Sequence, residues 1–205
     1  MASTLYAIKP RFQALLRPLV ARLAAAGVTA NQVTLAACAV SVGVGAFVLH
    51  QAPARWPFLL VTAWMLLRMA LNAIDGMLAR EHGQKSALGA YLNELTDVVS
   101  DAALYVPFAM LAPFAPWSVG LVILLAALSE MAGALGPAVG ASRRYDGPMG
   151  KSDRAFVFGA LGLWAGLVPA LPAWAVWIMP AIGLALAANI VQRVRNGVVE
   201  AGARG

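Results

Sequence analysis

The residues best able to do chemistry in this 205-residue chain are acidic, and five of its nine Asp and Glu residues fall in one short segment. These five acids are Asp75, Glu81, Glu94, Asp97 and Asp101. Most of their neighbours are apolar, and an ionised side chain at the centre of a membrane-spanning helix costs at least roughly 2.5–3.5 kcal/mol. Charges that persist at this cost usually serve binding or catalysis, so the segment is the first candidate for a functional site.

Helical periodicity gathers the polar side chains of the later part of this segment. At 3.6 residues per turn, Asn93, Glu94, Asp97 and Asp101 lie on one face of a helix. A face with this many oxygen atoms cannot be exposed to lipid without a large cost. It must therefore point into the protein or into a cavity.

The preceding apolar segment has a polar face of its own, formed by Arg68, Asn72 and Asp75 beside the small residue Gly76. If the two helices face each other, their oxygen atoms converge on one cavity. Crowded carboxylates in a low dielectric require a nearby positive charge, and Arg68 supplies only one. Hard divalent cations are the usual answer where all ligands are oxygens. The same spacing also fits a buried network of ion pairs and hydrogen bonds that joins the helices.

Composition defines the environment of these helices. Apolar residues make up 61% of the chain and charged residues only 12%, against roughly 25% charged in soluble domains; the mean hydropathy is +0.75. These values exclude an ordinary soluble domain, a disordered chain and a collagen-like chain. We therefore predict an all-α integral membrane protein. No nucleic-acid partner is expected despite the net charge of +6, because the basic residues lie where membrane topology requires them.

Six apolar stretches are long enough to be predicted as membrane spans. The fifth is short, and Pro169 and Pro172 favour a hairpin after it over one continuous span across 155–179. Residues 1–28 mix basic and apolar side chains as an amphipathic helix in the headgroup region does, although a plain basic flank fits the same residues. The whole chain, 1–205, is treated as one domain. The predicted spans are about 31–50, 56–79, 87–111, 117–140, 155–170 and 173–192.

Basic residues alternate between the two sides of this predicted bundle. Thirteen of the 15 Lys and Arg residues lie before span one, between spans two and three, between spans four and five, or after span six. Lys and Arg accumulate in short cytoplasmic connections. The pattern therefore predicts six spans with both termini in the cytoplasm, in the inner or plasma membrane if the source is bacterial.

The segment from 72 to 97 also carries a long motif. It reads Asn72-Ala-Ile-Asp75-Gly76-Met-Leu-Ala79-Arg80, then eight residues, then Gly89-Ala-Tyr-Leu-Asn93-Glu-Leu-Thr-Asp97. This resembles the signature of the CDP-alcohol phosphotransferases (CDP-alcohol phosphatidyltransferases), which is D-x-x-D-G-x-x-A-R, eight residues, G-x-x-x-D-x-x-x-D. The spacing matches throughout, but Asn72 and Asn93 replace two aspartates. The run from Thr29 to Thr34 likewise resembles the family's Pro-Asn-x-x-Thr start of span one, with Ala30 in place of proline.

The resemblance implies a reaction, a cofactor and a set of roles. A phosphatidyl or similar phosphate group would pass from a CDP-linked donor such as CDP-diacylglycerol to an alcohol, with release of CMP. Family members have six spans and an interfacial N-terminal helix, and homodimers are usual among them, so the resemblance implies a homodimer here. Their four signature aspartates hold two divalent ions, here Mg²⁺ or Mn²⁺, and the fourth is also the general base. Those four positions are Asn72, Asp75, Asn93 and Asp97, and the implied nucleotide contacts are Asn31, Thr34, Gly76, Arg80 and Ser86.

The two asparagines lower the charge of the signature from −4 to −2. Amide oxygens bind hard cations but offset no charge. Glu94 and Asp101 share the helical face of Asp97, so as further metal ligands they would restore the count, and Asp101 is also an alternative base. A single-metal enzyme, a catalytically silent relative and a cation-coupled transporter that uses the same acidic cavity remain open.

The connection between spans four and five holds four basic residues. In the family this region contacts phosphorylated acceptors, so the resemblance implies such a role for Lys151 and Arg154; positive-inside topology explains the same charges. Arg68 is free to neutralise Asp75 or to meet a phosphate. Glu130 in span four is free to line the cavity or to pair with Arg68. The four basic residues are Arg143, Arg144, Lys151 and Arg154.

Overall fold

A computed structural model describes residues 4–52 and 54–203, with side chains from residue 11 onward. The described residues form seven α-helices, three short 3₁₀ helices and no strand, which confirms the all-α prediction. The 3₁₀ helices span Val106–Met110, Gly136–Val139 and Ala173–Trp177. The α-helices are α1 (Thr4–Ala25), α2 (Ala30–His50), α3 (Phe58–Glu81), α4 (Ala87–Tyr105), α5 (Pro116–Ala134), α6 (Lys151–Leu167) and α7 (Ile178–Gly202).

Within the described residues, four helical segments are long and apolar enough to cross a membrane. They are α2, α3, α5 and the continuous stretch Ala173–Gly202, which ends in α7. The two other predicted spans correspond to α4 and α6. Helix α4 carries three acids within 19 residues, and α6 has only 17 residues and begins with charged side chains. The charged residues that α4 and α6 contribute to the polar centre of the protein therefore make these two helices less apolar than the four candidate spans.

Helix boundaries differ from the predicted spans for local reasons. Pro107 lies where α4 gives way to a 3₁₀ helix, before the predicted limit of 111. Pro137 follows the end of α5 at Ala134. Helix α6 begins at Lys151, because the Asp153 carboxylate accepts a hydrogen bond of 3.1 Å from the Gly150 amide and caps the helix. It ends at Leu167, so the prolines do separate α6 from α7 as a hairpin requires.

The helices pack chiefly as three pairs, α3 with α6, α2 with α4 and α5 with α7. Small residues allow the close approaches. On α6, the Gly159 carbonyl accepts a hydrogen bond of 2.8 Å from the Thr62 hydroxyl of α3. On α2, a Cβ added at Gly45 would collide with the Ala103 carbonyl of α4. These pairs bring the polar faces of α3 and α4 to opposite sides of the start of α6.

Gly45→Ala is expected to loosen the α2–α4 contact. The added methyl group meets backbone rather than a movable side chain, and overpacking typically costs about 1–3 kcal/mol. Thermal unfolding of the detergent-solubilised protein should show a lower midpoint. Gly43→Ala on the same helix is the matched control, because nothing lies within 4 Å of its added Cβ. Equal midpoints for the two variants would contradict this account of the packing.

Candidate active site

Asp75 of α3 is buried and held by α2. Its Oδ2 accepts a hydrogen bond of 2.8 Å from the Thr34 hydroxyl, one turn into α2. Asp75 also interacts electrostatically with Asp97 of α4 and with Lys151 at the start of α6. The two signature carboxylates therefore converge, as their spacing predicted, and an ammonium group faces both.

Asp97 is surrounded by positive charge. The Lys151 ammonium donates a short hydrogen bond to its Oδ2. The Arg68 guanidinium donates to its Oδ1 at 3.1 Å and to its backbone carbonyl at 3.3 Å. Lys151 is partly exposed whereas Arg68 is buried. The ammonium thus occupies the accessible side of Asp97, and the guanidinium fixes the carboxylate from within the bundle.

Asp101, one turn further along α4, is bonded at both carboxylate oxygens. Arg68 donates to Oδ1 at 2.5 Å, and Arg154 of α6 donates to Oδ2 through Nε at 3.1 Å and Nη2 at 2.9 Å. All three side chains are buried. Arg68 therefore pairs with Asp97 and Asp101 rather than with Asp75. Both oxygens of Asp101 are committed to guanidinium groups in this structure.

Glu94 and Glu130 extend the same network. Arg143 donates to Glu94 at 2.5 Å and lies 3.4 Å from Glu130. Glu130 also accepts a hydrogen bond of 3.0 Å from Arg154 and lies 3.6 Å from Arg193. Glu130 is therefore paired with residues of the α5–α6 connection, α6 and α7, and not with Arg68, one of the partners considered from the sequence.

The connection between α5 and α6 is anchored by α7, which sequence reasoning treated only as a span and its basic flank. Asn189 donates to the carbonyls of Asp146 and Pro148 at 3.2 and 2.7 Å, and Arg193 donates to the Asp146 carbonyl at 3.2 Å. Gly147 packs against Asn189 with a φ of +99°, where a side chain is rarely tolerated. The signal available in the sequence was the pair of polar residues four positions apart on an apolar helix.

The residues expected to contact a nucleotide lie at the adjacent ends of α2, α3 and α4. Ser86 caps α4 by accepting a hydrogen bond of 2.9 Å from the Gly89 amide. A Cβ at Gly89 would lie 2.9 Å from the Asn31 carboxamide oxygen, so this glycine keeps the start of α4 close to α2. The structure places Asn31 and Ser86 together at one end of the site.

Arg80 is folded back over Gly76. A Cβ added at Gly76 would lie 3.0 Å from both terminal nitrogens of the Arg80 guanidinium. Because Gly76 follows Asp75 directly, the guanidinium borders the carboxylate site. A planar guanidinium with several donors suits phosphate oxygens. Because Gly76 has no side chain, the Arg80 guanidinium has room to lie beside the backbone next to Asp75.

The donor set fits hard cations. Asp75 and Asp97 supply two converging carboxylates, and Asn72 and Asn93 lie on the same helical faces, one turn away. Neither carboxamide has a hydrogen-bond partner among the described residues, so both oxygens are available. Glu94 and Asp101 differ from Asp97 in that they are paired only with arginines, whereas one partner of Asp97 is the partly exposed Lys151. Within residues 4–52 and 54–203, no three His, Cys, Asp or Glu side chains are grouped to share one ion.

Comparison with known proteins identifies the family. The CDP-alcohol phosphatidyltransferase family model matches residues 27–191, which contain the whole signature and every other site residue described above except Arg193. The chain belongs to this family. It is therefore an integral membrane protein of a family of transferases in phospholipid biosynthesis. The match covers most of the chain, so it extends well beyond the signature on α3 and α4.

Relatives and solved structures agree with the family. This family member is similar to inner membrane protein YnbA of Escherichia coli (strain K12). The two sequences are 48% identical over 174 residues, which cover 85% of each chain. Its fold matches crystal structures of the Mycobacterium tuberculosis phosphatidylinositol phosphate synthase. One, with CDP-DAG bound, has a TM-score of 0.66 at 19% identity and covers 88% of this chain and 92% of the other. A second is in complex with manganese and citrate, with a TM-score of 0.66 at 21% identity, and covers 88% and 87%.

Proposed function

We propose that the protein transfers a phosphatidyl group from CDP-diacylglycerol to an alcohol and releases CMP, with a divalent cation bound between α3 and α4. The observation that carries the proposal is the convergence of Asp75 and Asp97 around the Lys151 ammonium. The Lys151 ammonium bonds Asp97 and interacts electrostatically with Asp75, and the free oxygens of Asn72 and Asn93 lie on the same faces. The mycobacterial neighbours support the choice of ligands, since one binds CDP-DAG and another manganese.

Asp97 is the proposed general base. It takes the proton of the acceptor hydroxyl as the acceptor oxygen bonds to the phosphorus next to the diacylglycerol, and the bond from that phosphorus to the CMP oxygen breaks. Mg²⁺ or Mn²⁺, proposed as two ions, would offset the charge of the pyrophosphate and of the departing CMP. Lys151 would leave Asp97 when cations bind, and its partly exposed side chain allows this movement.

Asn72, Asp75, Asn93 and Asp97 are the proposed metal ligands. The contacts of Glu94 and Asp101 favour a different role for these two acids, which is to hold Arg143, Arg68 and Arg154 in place. Under this proposal the protein supplies two negative charges at the site, and the phosphates of the donor supply the remaining negative charge that offsets the cations. Asn31, Thr34, Gly76, Arg80 and Ser86 are the proposed contacts of the CDP group.

We propose that all six predicted spans cross the membrane, with both termini in the cytoplasm. Helix α1 would lie at the interface, because apolar Leu15 and Leu19 are exposed beside exposed Arg11 and Arg22. The acidic helix α4 and the short helix α6 would cross within the bundle, where α2 and α3 pack on them. A homodimer is proposed from the family resemblance alone.

The test is CMP release from CDP-diacylglycerol by the purified full-length protein in detergent, with a panel of alcohols. CMP should form only with an acceptor and with Mg²⁺ or Mn²⁺, should stop on addition of EDTA, and should resume with excess Mn²⁺. CMP release that is indifferent to EDTA would contradict the metal proposal.

One observation favours a second reading, a non-catalytic relative. Asp97, Asp101, Glu94 and Glu130 are all paired with basic side chains, as a purely structural network requires. The same assay separates the two. Absence of CMP with every acceptor and both ions, from protein that unfolds cooperatively, would favour the non-catalytic relative.

A further inference from the structure

The carboxylate of Glu130 is enclosed by three arginines. Its Oε1 accepts a hydrogen bond of 3.0 Å from Arg154 and lies 3.6 Å from Arg193, and its Oε2 lies 3.4 Å from Arg143. Glu130 is 7% exposed, and Arg154 and Arg193 are no more than 2% exposed. Three guanidinium groups directed at one point form a typical anion site. In this protein the anion is one of its own side chains.

This cluster adjoins the proposed reaction centre. Arg154 bonds both Glu130 and Asp101, and Arg68 bonds both Asp101 and Asp97. Along the other edge, Arg143 contacts Glu130 and Glu94, which is one turn from Asp97 on α4. The three arginines are therefore linked to Asp97 through shared contacts, within the surroundings that an acceptor at Asp97 would meet.

The point at which the three arginines meet is occupied by the Glu130 carboxylate. A cavity of about 10 Å³ lies on another side of Glu130, against Asp101, Arg154 and Tyr105, and it has room for roughly one water molecule. A phosphomonoester could reach the arginines only by displacing Glu130 from them. That displacement would leave a buried carboxylate beside a dianion, which is strongly unfavourable.

We infer that Glu130 is a specificity-determining residue that excludes phosphorylated acceptors, so the acceptor is an alcohol without a phosphomonoester. The inference rests on the proposed function and names the substrate class of that site. It reverses the preference for a phosphorylated acceptor that the resemblance attached to Lys151 and Arg154. In the structure Arg154, which is buried, is already neutralised by Asp101 and Glu130.

The experiment uses matched acceptors that differ only in the phosphate: glycerol against glycerol 3-phosphate, and inositol against inositol 1-phosphate. In CMP release with Mn²⁺, the wild-type protein should favour the unphosphorylated member of the pair it uses by at least about tenfold in kcat/KM. Glu130→Gln should shift this ratio toward the phosphorylated member by a similar factor. Glu81→Gln, which removes a carboxylate paired with the exposed Arg17, should leave the ratio unchanged. Wild-type protein that prefers the phosphorylated member would overturn the inference, whether or not Glu130→Gln folds.

A binding measurement separates this inference from the proposed function. With EDTA present, inorganic phosphate should raise the unfolding midpoint of Glu130→Gln and not that of the wild-type protein. If no acceptor gives CMP, the proposed function fails. The response of the wild-type unfolding midpoint to inorganic phosphate then decides whether Glu130 excludes a phosphate. A phosphate-dependent rise in its midpoint would refute exclusion by Glu130, and no rise would support it.

Discussion

Asp97→Asn is expected to abolish CMP release while the protein stays folded. The substitution keeps the shape of the side chain but removes both the proton acceptor and half of the protein's negative charge at the proposed metal site. General-base catalysis alone typically contributes about 10²–10⁴-fold, so turnover should fall at least by that factor. The measurement is CMP release at saturating donor and acceptor, beside thermal unfolding of the same preparation.

Folding should survive because the partners of Asp97 keep other contacts. Arg68 retains its hydrogen bond of 2.5 Å to Asp101, and Lys151 is partly exposed to solvent. Glu81→Gln serves as the control, because it removes a carboxylate from an exposed ion pair at the end of α3. It should retain wild-type activity. Full activity in Asp97→Asn would show that another group is the base.

Asp101→Asn is expected to destabilise the protein rather than to remove the chemistry. Both oxygens of Asp101 bond guanidinium groups, from Arg68 on one side and Arg154 on the other, and all three side chains are buried. Removing one partner of a buried ion pair typically costs about 3–5 kcal/mol. The unfolding midpoint should therefore fall much further than in Asp97→Asn.

Activity per folded molecule distinguishes the two aspartates. In Asp101→Asn, the CMP release that remains should follow the folded fraction, measured by thermal unfolding at the assay temperature. The opposite pattern, with wild-type stability but no turnover in Asp101→Asn and full turnover in Asp97→Asn, would assign the base to Asp101.

The sequence alone indicated that the polar faces of α3 and α4 share one site, because both helices carry their polar residues at a single helical spacing. In the structure the two helices pack mainly on α6 and α2 and not on each other. Asn72 and Asp75 on one helix, and Asn93 and Asp97 on the other, needed only the 3.6-residue repeat and the cost of charge in lipid. The same reasoning placed Glu94 and Asp101 on the face of Asp97, but it could not show what they contact there.

The partners of those two acids come from distant parts of the chain. Arg143 lies 49 residues after Glu94, and Arg154 lies 53 residues after Asp101. Contacts across such separations depend on how the helices pack, which periodicity within one helix does not encode. Arg193 was counted only as a basic flank, although it is buried and anchors the connection before α6. In the sequence, a basic residue that sets membrane topology looks the same as one that anchors the site. The fold distinguishes the two.

Anomalous diffraction from crystals grown with Mn²⁺ tests the central claim most directly. We predict manganese between Asp75 and Asp97, with the Asn72 and Asn93 oxygens turned toward it and Lys151 displaced from Asp97. A map without manganese there, in which Asp75 still bonds Thr34 and Asp97 still bonds Lys151 and Arg68, would contradict the account.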